Sequence, residues 1–228
     1  MSATLDYDAP LIKICGCTDA DNAGAIASMG VDYIGLNFYA PSPRSVDLAR
    51  ARELAFAVRS SNPETQLVGV FVQAELTAMV EIAAALRLNV VQLHGGEGPE
   101  VINDVRRLTG AAVWNAAHVT VPFVPDAFAA RVATADAMVF DSPSRGFGGS
   151  GQTFDWEATA QLPQTRVPRM VLAGGLRADN VQHAMAVLQP WAVDTASGVE
   201  ASPGIKDIAK VSAFLTAVRT APGYTPRP

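Results

Sequence analysis

Residues 11–38 read LIKICGCTDADNAGAIASMGVDYIGLNF, and the rest of the chain repeats the pattern of this stretch. It begins with the apolar run Leu11–Cys15, continues through an alanine-rich stretch of helical period at Asp19–Met29, and ends in a second apolar run, Tyr33–Asn37. Gly30 follows the last apolar position and is placed to end the helix. Strand, helix and strand joined by short loops predict a βαβ unit with parallel strands.

The same alternation continues along the chain of 228 residues. Six further strands are predicted at Leu67–Val72, Val90–His94, Ala112–Ala117, Ala137–Asp141, Arg169–Ala173 and Ala192–Thr195. Further helices are predicted at Asp47–Ser60, Glu75–Leu86, Pro99–Leu108, Pro125–Thr134, Arg177–Leu188 and Lys206–Arg219, with a weaker, shorter one after Asp155. Several strands are continuously apolar, which indicates a parallel sheet covered by helices on its outer face.

Eight strand–helix pairs predict an α/β fold, a single (βα)8 TIM barrel spanning residues 1–228. Periodicity by itself leaves the doubly wound open sheet as an alternative. No tract rich in Pro, Gly and Ser divides the chain into domains. We expect residues 1–10 and the tail 221–228, which holds three prolines and a glycine, to be poorly ordered ends.

The composition argues against several classes of partner. The net charge is -5, from 17 Lys and Arg against 22 Asp and Glu, and the basic residues are scattered, so nucleic acid is not expected to bind. There is no apolar stretch of membrane-spanning length, and Met1–Asp6 lacks the features of a secretory signal, so a cytoplasmic protein is expected. The two cysteines, Cys15 and Cys17, form neither a disulfide framework nor a zinc site, and no metal or cofactor is predicted.

In a parallel barrel, the active site forms at the carboxyl ends of the strands and in the loops that follow them. Glycine and polar residues are concentrated there in this chain. The segments are Lys13-Ile14-Cys15-Gly16 at the first strand, Pro41-Ser42-Pro43-Arg44-Ser45 after the second, Gln92-Leu93-His94-Gly95 at the fourth, Phe140-Asp141-Ser142 at the sixth, Leu172-Ala173-Gly174-Gly175 at the seventh, and Asp194-Thr195-Ala196-Ser197-Gly198-Val199-Glu200 at the eighth.

In this order and on these loops, the segments resemble phosphoribosylanthranilate isomerases over nearly the whole chain. The resemblance implies an enzyme of tryptophan biosynthesis that converts N-(5-phosphoribosyl)anthranilate to 1-(2-carboxyphenylamino)-1-deoxyribulose 5-phosphate by an Amadori rearrangement, without a cofactor. By the family pattern, Cys15 is the general base and Asp141 is the general acid. The family includes monomers and dimers, so the resemblance implies a monomer or homodimer acting on a small phosphosugar.

The residue types suit that chemistry. An aldose-to-ketose shift needs one group that protonates the ring oxygen and another that takes the proton from C2. Asp141 must carry a proton to donate it, and Cys15 must be a thiolate to accept one, which a positive neighbour favours. Lys13 lies two residues from Cys15 along the strand, points to the same face, and is a candidate for that neighbour.

Separate features suit the anions and the sugar of the substrate. Backbone N–H groups near the starts of the last two helices are predicted to bind the phosphate; they belong to Gly174, Gly175, Ser197 and Gly198. The resemblance assigns Arg44, in a loop restricted by flanking prolines, to the anthranilate carboxylate. Asp194 is expected to point toward the sugar hydroxyls. The stretch Gly146–Gly151 is predicted to be a mobile flap over the substrate.

Other residues keep plainer interpretations. His94 is either a partner in structural hydrogen bonds or a supporting residue of the site, since the family pattern gives it no proton-transfer role. Cys17 is interpreted as a small residue of the first loop. The three tryptophans are interpreted as packing groups; they are Trp114, Trp156 and Trp191.

Two positions depart from the family pattern. The fifth strand has Asn115 where lysine is common, which removes a cation and leaves open an effect on rate or on the choice of aryl amine. Ala196 stands where serine or asparagine is common, which removes a side-chain hydrogen-bonding group near the phosphate.

Two other functions stay open. An isomerase of another phosphoribosyl amine, such as the aminoaldose isomerase of histidine biosynthesis, usually employs paired aspartates, and Cys15 stands where the first of them is expected. A non-catalytic barrel that binds a phosphosugar would have no need of both Cys15 and Asp141. An activity assay distinguishes these alternatives.

Overall fold

The computed structural model describes residues 7–118, 125–142, 153–160, 167 and 169–225, and it contains a closed barrel of eight parallel strands. Each strand pairs with the next one along the chain, and the last pairs with the first. The strands are β1 Leu11–Cys15, β2 Tyr33–Asn37, β3 Gln66–Phe71, β4 Val90–Leu93, β5 Ala112–His118, β6 Ala137–Asp141, β7 Met170–Leu172 and β8 Ala192–Thr195. The predicted single barrel is confirmed, and the open doubly wound sheet is excluded.

Helices alternate with the strands, as predicted. They are α1 Ala20–Ser28, α2 Leu48–Ser61, α3 Leu76–Leu86, α4 Pro99–Thr109, α5 Pro125–Thr134, α6 Trp156–Ala160, α7 Val181–Leu188 and α8 Ile208–Arg219. Four are preceded by an aspartate whose carboxylate accepts a hydrogen bond from a first-turn N–H group: Asp19, Asp47, Asp155 and Asp207. Among the helices of the described residues, none is long and apolar enough to cross a membrane.

The apolar core has two layers. The larger layer lies between the helices and the outer face of the strands, where Ile14 has no exposed surface and Trp156 is also buried. The smaller layer fills the barrel interior. There the ring of Trp114 lies 4.9 Å from that of Tyr33 and 5.8 Å from that of Trp191. These rings occupy the amino-terminal half of the barrel, so polar side chains can occupy its carboxyl end.

The two ends of the described chain pair with each other, and the predicted poor order of residues 1–10 and 221–228 stays a prediction. Tyr7–Asp8 pairs in parallel with Tyr224–Thr225, and Ala9 and Ala221 are 4% and 5% exposed. Residues 1–6 and 226–228 lie outside the described part of the chain.

Candidate active site

A pocket opens at the carboxyl ends of the barrel strands. All of the predicted site residues line it, although they follow five different strands. They are Cys15, Arg44, Asp141, Gly174, Gly175, Asp194, Ser197 and Gly198. The pocket therefore lies at the end of the barrel where ligands bind in this architecture.

Lys13 and Asp194 are buried at the floor of this pocket, beside the partly exposed Cys15. Lys13 has no exposed surface, and its Nζ lies 2.5 Å from Oδ2 of Asp194 on the neighbouring strand β8. Strand alternation places Lys13 and Cys15 on the same interior face of β1. Gly35 on β2 leaves room for the thiol, because a Cβ there would lie only 2.7 Å from the Cys15 Sγ.

Burial and charge act in opposite directions on these three residues. Burial raises the pKa of the Cys15 thiol, the Lys13 ammonium lowers it, and the net pKa is above its ordinary value. Burial disfavours the ammonium of Lys13, but Asp194 and Cys15 outweigh that effect and raise the pKa of Lys13. A persistent cation therefore lies beside the predicted base. Cys17 is fully buried, and burial raises its pKa to about 12, in keeping with a small packing residue.

Asp141 ends strand β6 and is 6% exposed. Its Oδ1 accepts a hydrogen bond from the N–H group of Ser142 at 2.8 Å, and its Oδ2 lies 3.3 Å from Nε2 of His94. The Nε2 of Gln92 on β4 lies 3.1 Å from Nδ1 of His94, which directly follows that strand. His94 thus lies between Gln92 and the predicted acid, where a supporting role fits its position. The sequence had signalled this only through the strand-end placement of His94.

Two buried acceptors that line the pocket have no hydrogen-bond donor among the described residues. They are Oδ1 of Asp194 and Oε1 of Gln92. Both side chains line the pocket. Because a buried acceptor without a donor is costly, the pair indicates where hydroxyl groups of a ligand would donate. This position agrees with the expectation for Asp194, although its Oδ2 is held by Lys13.

The guanidinium of Arg44 is engaged with a residue that the sequence analysis did not select. Its Nε and Nη2 donate to Oε1 and Oε2 of Glu200, each at 2.7 Å. These hydrogen bonds raise the pKa of Arg44. Glu200 belongs to the segment after the eighth strand, but its partner Arg44 lies 156 positions earlier in the chain. No local pattern relates residues at that separation.

The loops after β7 and β8 provide backbone donors, but in a different form from the prediction. Gly174 and Gly175 have φ values of 84° and 63°, and within the described residues their N–H groups have no acceptor. Helix α7 begins only at Val181, and Ser197–Val199 is a single 3-10 turn. The predicted start of α7 at Arg177, close to Gly174 and Gly175, is therefore four residues too early, and the loop amides themselves form the candidate phosphate site.

Asn115 faces away from the pocket. Its Nδ2 donates to the carbonyl of Glu97 at 3.1 Å, and Nε of Arg131 donates to its Oδ1 at 2.5 Å. A second nitrogen of Arg131 donates to the carbonyl of Ala116. Helix α5 thus supplies a cation to the outer side of β5, where the family pattern has lysine. The predicted flap, Gly146–Gly151, lies outside the described residues.

Known proteins match this chain over most of its length. The sequence model of the family PRAI, N-(5′-phosphoribosyl)anthranilate (PRA) isomerase, matches residues 12–217. The N-(5′-phosphoribosyl)anthranilate isomerase of Pseudomonas paraeruginosa is 44% identical over 213 residues, covering 92% of this chain and 95% of the relative.

Solved structures agree. The crystal structure of phosphoribosyl anthranilate isomerase from Thermotoga maritima has a TM-score of 0.80 at 33% identity, covering 92% of this chain and 98% of the other. A phosphoribosyl anthranilate isomerase in complex with reduced 1-(o-carboxyphenylamino)-1-deoxyribulose 5-phosphate has a TM-score of 0.77 at 31% identity, with the same coverage.

Proposed function

The chain belongs to the N-(5′-phosphoribosyl)anthranilate isomerase family, and we propose that it converts N-(5′-phosphoribosyl)anthranilate to 1-(2-carboxyphenylamino)-1-deoxyribulose 5-phosphate. It is an isomerase of tryptophan biosynthesis. The observation that carries the proposal for the site is that one pocket contains Cys15, Asp141, Arg44 and the amides of Gly174 and Gly175. Each part of an Amadori substrate then has a matching group.

Asp141 is the general acid in this proposal. Its proton goes to the ring oxygen, the C1–O bond breaks, and the lone pair of the anilino nitrogen forms the C1=N bond of a cationic imine. The N–H group of Ser142 donates to Oδ1 of Asp141, and Nε2 of His94 lies 3.3 Å from its Oδ2. The hydrogen bond from Ser142 limits the orientations of the carboxyl group, which favours proton transfer to a bound substrate.

Cys15 is the general base. Its thiolate takes the proton from C2, the electrons of that C–H bond form a C1=C2 bond, and the π electrons of the C1=N bond return to the nitrogen as a lone pair. The enol then loses its hydroxyl proton while C1 gains one, which gives the amino ketose. Because burial raises the pKa of Cys15 and Lys13 lowers it, Lys13 is the positioning residue that favours the thiolate.

The remaining groups bind the substrate. The amides of Gly174 and Gly175, with those of the Ser197 turn, suit the phosphate, since loop amides of this kind bind anions without a basic side chain. Oδ1 of Asp194 and Oε1 of Gln92 suit the sugar hydroxyls. Arg44 suits the carboxylate of the anthranilate ring. These roles would bind the two ends of the substrate on opposite sides of the reacting carbons.

The setting follows from this chemistry. Two side chains perform both proton transfers, so the reaction needs neither a metal nor a cofactor. We place the protein in the cytoplasm, as a monomer or a homodimer that binds one small phosphosugar and neither nucleic acid nor a membrane. These features are proposals that follow from the family and from the net charge of -5.

The test is turnover by the purified protein. With freshly formed N-(5′-phosphoribosyl)anthranilate as substrate, we expect the fluorescence of its anthranilate group to disappear as the protein turns it over. We expect no turnover of the aminoaldose substrate of the histidine-pathway isomerase. Turnover of only the second substrate would assign the chain to the rival enzyme. Tight binding of the reduced product without turnover of either substrate would support the non-catalytic barrel.

A further inference from the structure

Glu200 holds Arg44 by one defined edge of its guanidinium. The two hydrogen bonds from Nε and Nη2 are each 2.7 Å long, so the carboxylate and the guanidinium form a planar, bidentate pair. Their side chains are 13% and 6% exposed, which removes most competition from water. An arginine held in this way loses its rotational freedom before any ligand arrives.

Glu200 is itself fixed by other parts of the loop after β8. Its Oε1 also accepts from the N–H group of Gly204 at 3.0 Å and from Nζ of Lys206 at 2.8 Å. Lys206 in turn donates to the carbonyl of Ala196 at 3.1 Å. Burial raises the pKa of Glu200, but Arg44 and Lys206 outweigh it and hold the pKa below its usual value. The carboxylate therefore keeps its charge and position at neutral pH.

The other edge of Arg44 remains available. Its Nη1 donates no hydrogen bond to any of the described residues, and Arg44 lines the pocket. Guanidinium carries five N–H groups, so the pair with Glu200 leaves both hydrogens of Nη1 and one of Nη2. The stem of Arg44 lies against Gly16, where an added Cβ would be 2.6 Å from Cδ. The free edge is thus anchored close to the Cys15 strand end.

We propose that Glu200 is a positioning residue that aims the free Nη1 edge of Arg44 at the carboxylate of the substrate, and so selects an aryl amine with an ortho carboxylate. This inference rests on the proposed function, because it takes Arg44 as the carboxylate-binding group. Arg44 and Glu200 come from the loops after the second and eighth strands, so their pair fixes the spacing between these loops at the pocket wall.

If Glu200 opposed ligand binding instead of positioning Arg44, its removal would have the opposite effect on affinity. A carboxylate beside Arg44 could act as an internal competitor that the substrate must displace. Removing the charge of Glu200 would then strengthen binding of a carboxylated ligand. If Glu200 positions Arg44, removing it weakens binding, because the guanidinium must be ordered again at the cost of its conformational entropy.

The experiment compares two ligands by calorimetric titration of the purified protein. One is reduced 1-(o-carboxyphenylamino)-1-deoxyribulose 5-phosphate, and the other is the same compound without the carboxyl group. We expect Glu200→Gln to weaken the carboxylated ligand by about tenfold and the other ligand by less than about twofold. In an Arg44→Ala background, Glu200→Gln should change neither ligand by more than about twofold, since Glu200 acts through Arg44.

Two further variants keep the result interpretable. Glu200→Asp retains the charge beside Lys206 but shortens the reach, so it should lose the same selectivity and can replace Glu200→Gln if that variant fails to fold. Glu53→Gln breaks an exposed pair with Arg50 and should leave both affinities unchanged. Unchanged or stronger binding of the carboxylated ligand in the folded Glu200 variants would overturn the inference.

The proposed function and this inference fail in different ways. If the wild-type protein binds both ligands equally, the assignment of Arg44 to the carboxylate is wrong. If Arg44→Ala weakens the carboxylated ligand but both Glu200 variants leave it unchanged, Arg44 keeps its role and only the positioning role of Glu200 is wrong.

Discussion

Two ion pairs connect the start of the chain to strand β8 and its loop, and they differ in their surroundings. Lys13 and Asp194 meet at the floor of the pocket, with side chains 0% and 7% exposed, and one oxygen of Asp194 has no donor among the described residues. Arg44 and Glu200 meet at the wall, and both oxygens of Glu200 accept hydrogen bonds.

The different surroundings indicate different roles for the two ion pairs. In the floor pair, Lys13 lowers the pKa of Cys15 by more than Asp194 raises it, and the unused oxygen of Asp194 can still bind a hydroxyl of the substrate. A pair whose carboxylate is fully used can only hold its arginine in place. The floor pair should therefore govern proton transfer and folding, and the wall pair should govern binding of the carboxylate.

The largest expected effects fall on the two groups that transfer protons beside the floor pair. Cys15→Ala and Asp141→Asn should each lower kcat by about 10²–10⁴-fold, the range of lost general acid–base catalysis, while the thermal unfolding curve changes little. Steady-state assays with circular dichroism measure both. Near-normal turnover in either variant would remove that residue from the mechanism, and loss of folding would indicate a structural role.

The next effect tests whether the floor pair governs folding. Lys13→Met leaves Asp194 buried without its partner and should lower the free energy of unfolding by about 3–5 kcal/mol in urea titrations. The double variant Lys13→Met with Asp194→Asn removes both charges and should recover most of that loss. A loss below about 1 kcal/mol would show that the pair behaves like an exposed one.

The same variants have a second readout in the pH dependence of kcat/KM. Lys13 lowers the pKa of Cys15, and Asp194 raises it by less. On one limb of the pH profile, kcat/KM rises as the thiolate of Cys15 forms. Removing Lys13 should therefore move this limb to higher pH. The double variant should keep part of that shift. If the role of Lys13 is purely structural, this limb of the pH profile should lie at the same pH in the double variant as in the wild-type protein.

A smaller effect is expected at the wall pair, on binding instead of proton transfer. Arg44→Ala should weaken the reduced product by about 1.5–3 kcal/mol, the scale of a hydrogen bond to a charged group. Arg44→Lys keeps the charge but loses the planar fork that Glu200 holds, so it should bind almost as weakly. Calorimetric titration measures both, and unchanged affinity would remove Arg44 from the site.

The sequence was sufficient for the fold because each element contains its own signal. The run Leu11–Cys15 and the helix that follows it have the periods of strand and helix, and eight such units close a barrel. The terminal pairing of Tyr7–Asp8 with Tyr224–Thr225 was missed because two-residue strands have no detectable period. Helix α7 was predicted to begin at Arg177 instead of Val181, because the sequence from Arg177 to Asn180 continues the helical pattern although these residues form turns.

The site was predicted in its members but not in its pairings. Lys13 and Asp194 are 181 positions apart, and only the closure of β8 onto β1 brings them together. Arg44 and Glu200 depend on the same closure. The orientation of Asn115 could have been predicted from the sequence, because strand alternation places its side chain on the face opposite that of the interior residue Trp114. Long-range pairing is therefore the part that the sequence pattern does not contain.

The smallest effects are expected at Gly175 and Ser197, the candidate phosphate-binding residues, which belong to neither ion pair. Gly175 has a φ of 63°, so Gly175→Val would strain the backbone and should weaken binding of inorganic phosphate and of the reduced product by about tenfold. Ser197→Ala keeps its N–H group and should weaken binding by no more than about twofold. In crystals soaked with sulfate, the anion should lie between the loops after β7 and β8. An anion bound at the opposite barrel end, with none between these loops, would contradict the phosphosugar site, since the phosphate and Cys15 must lie within one substrate's length.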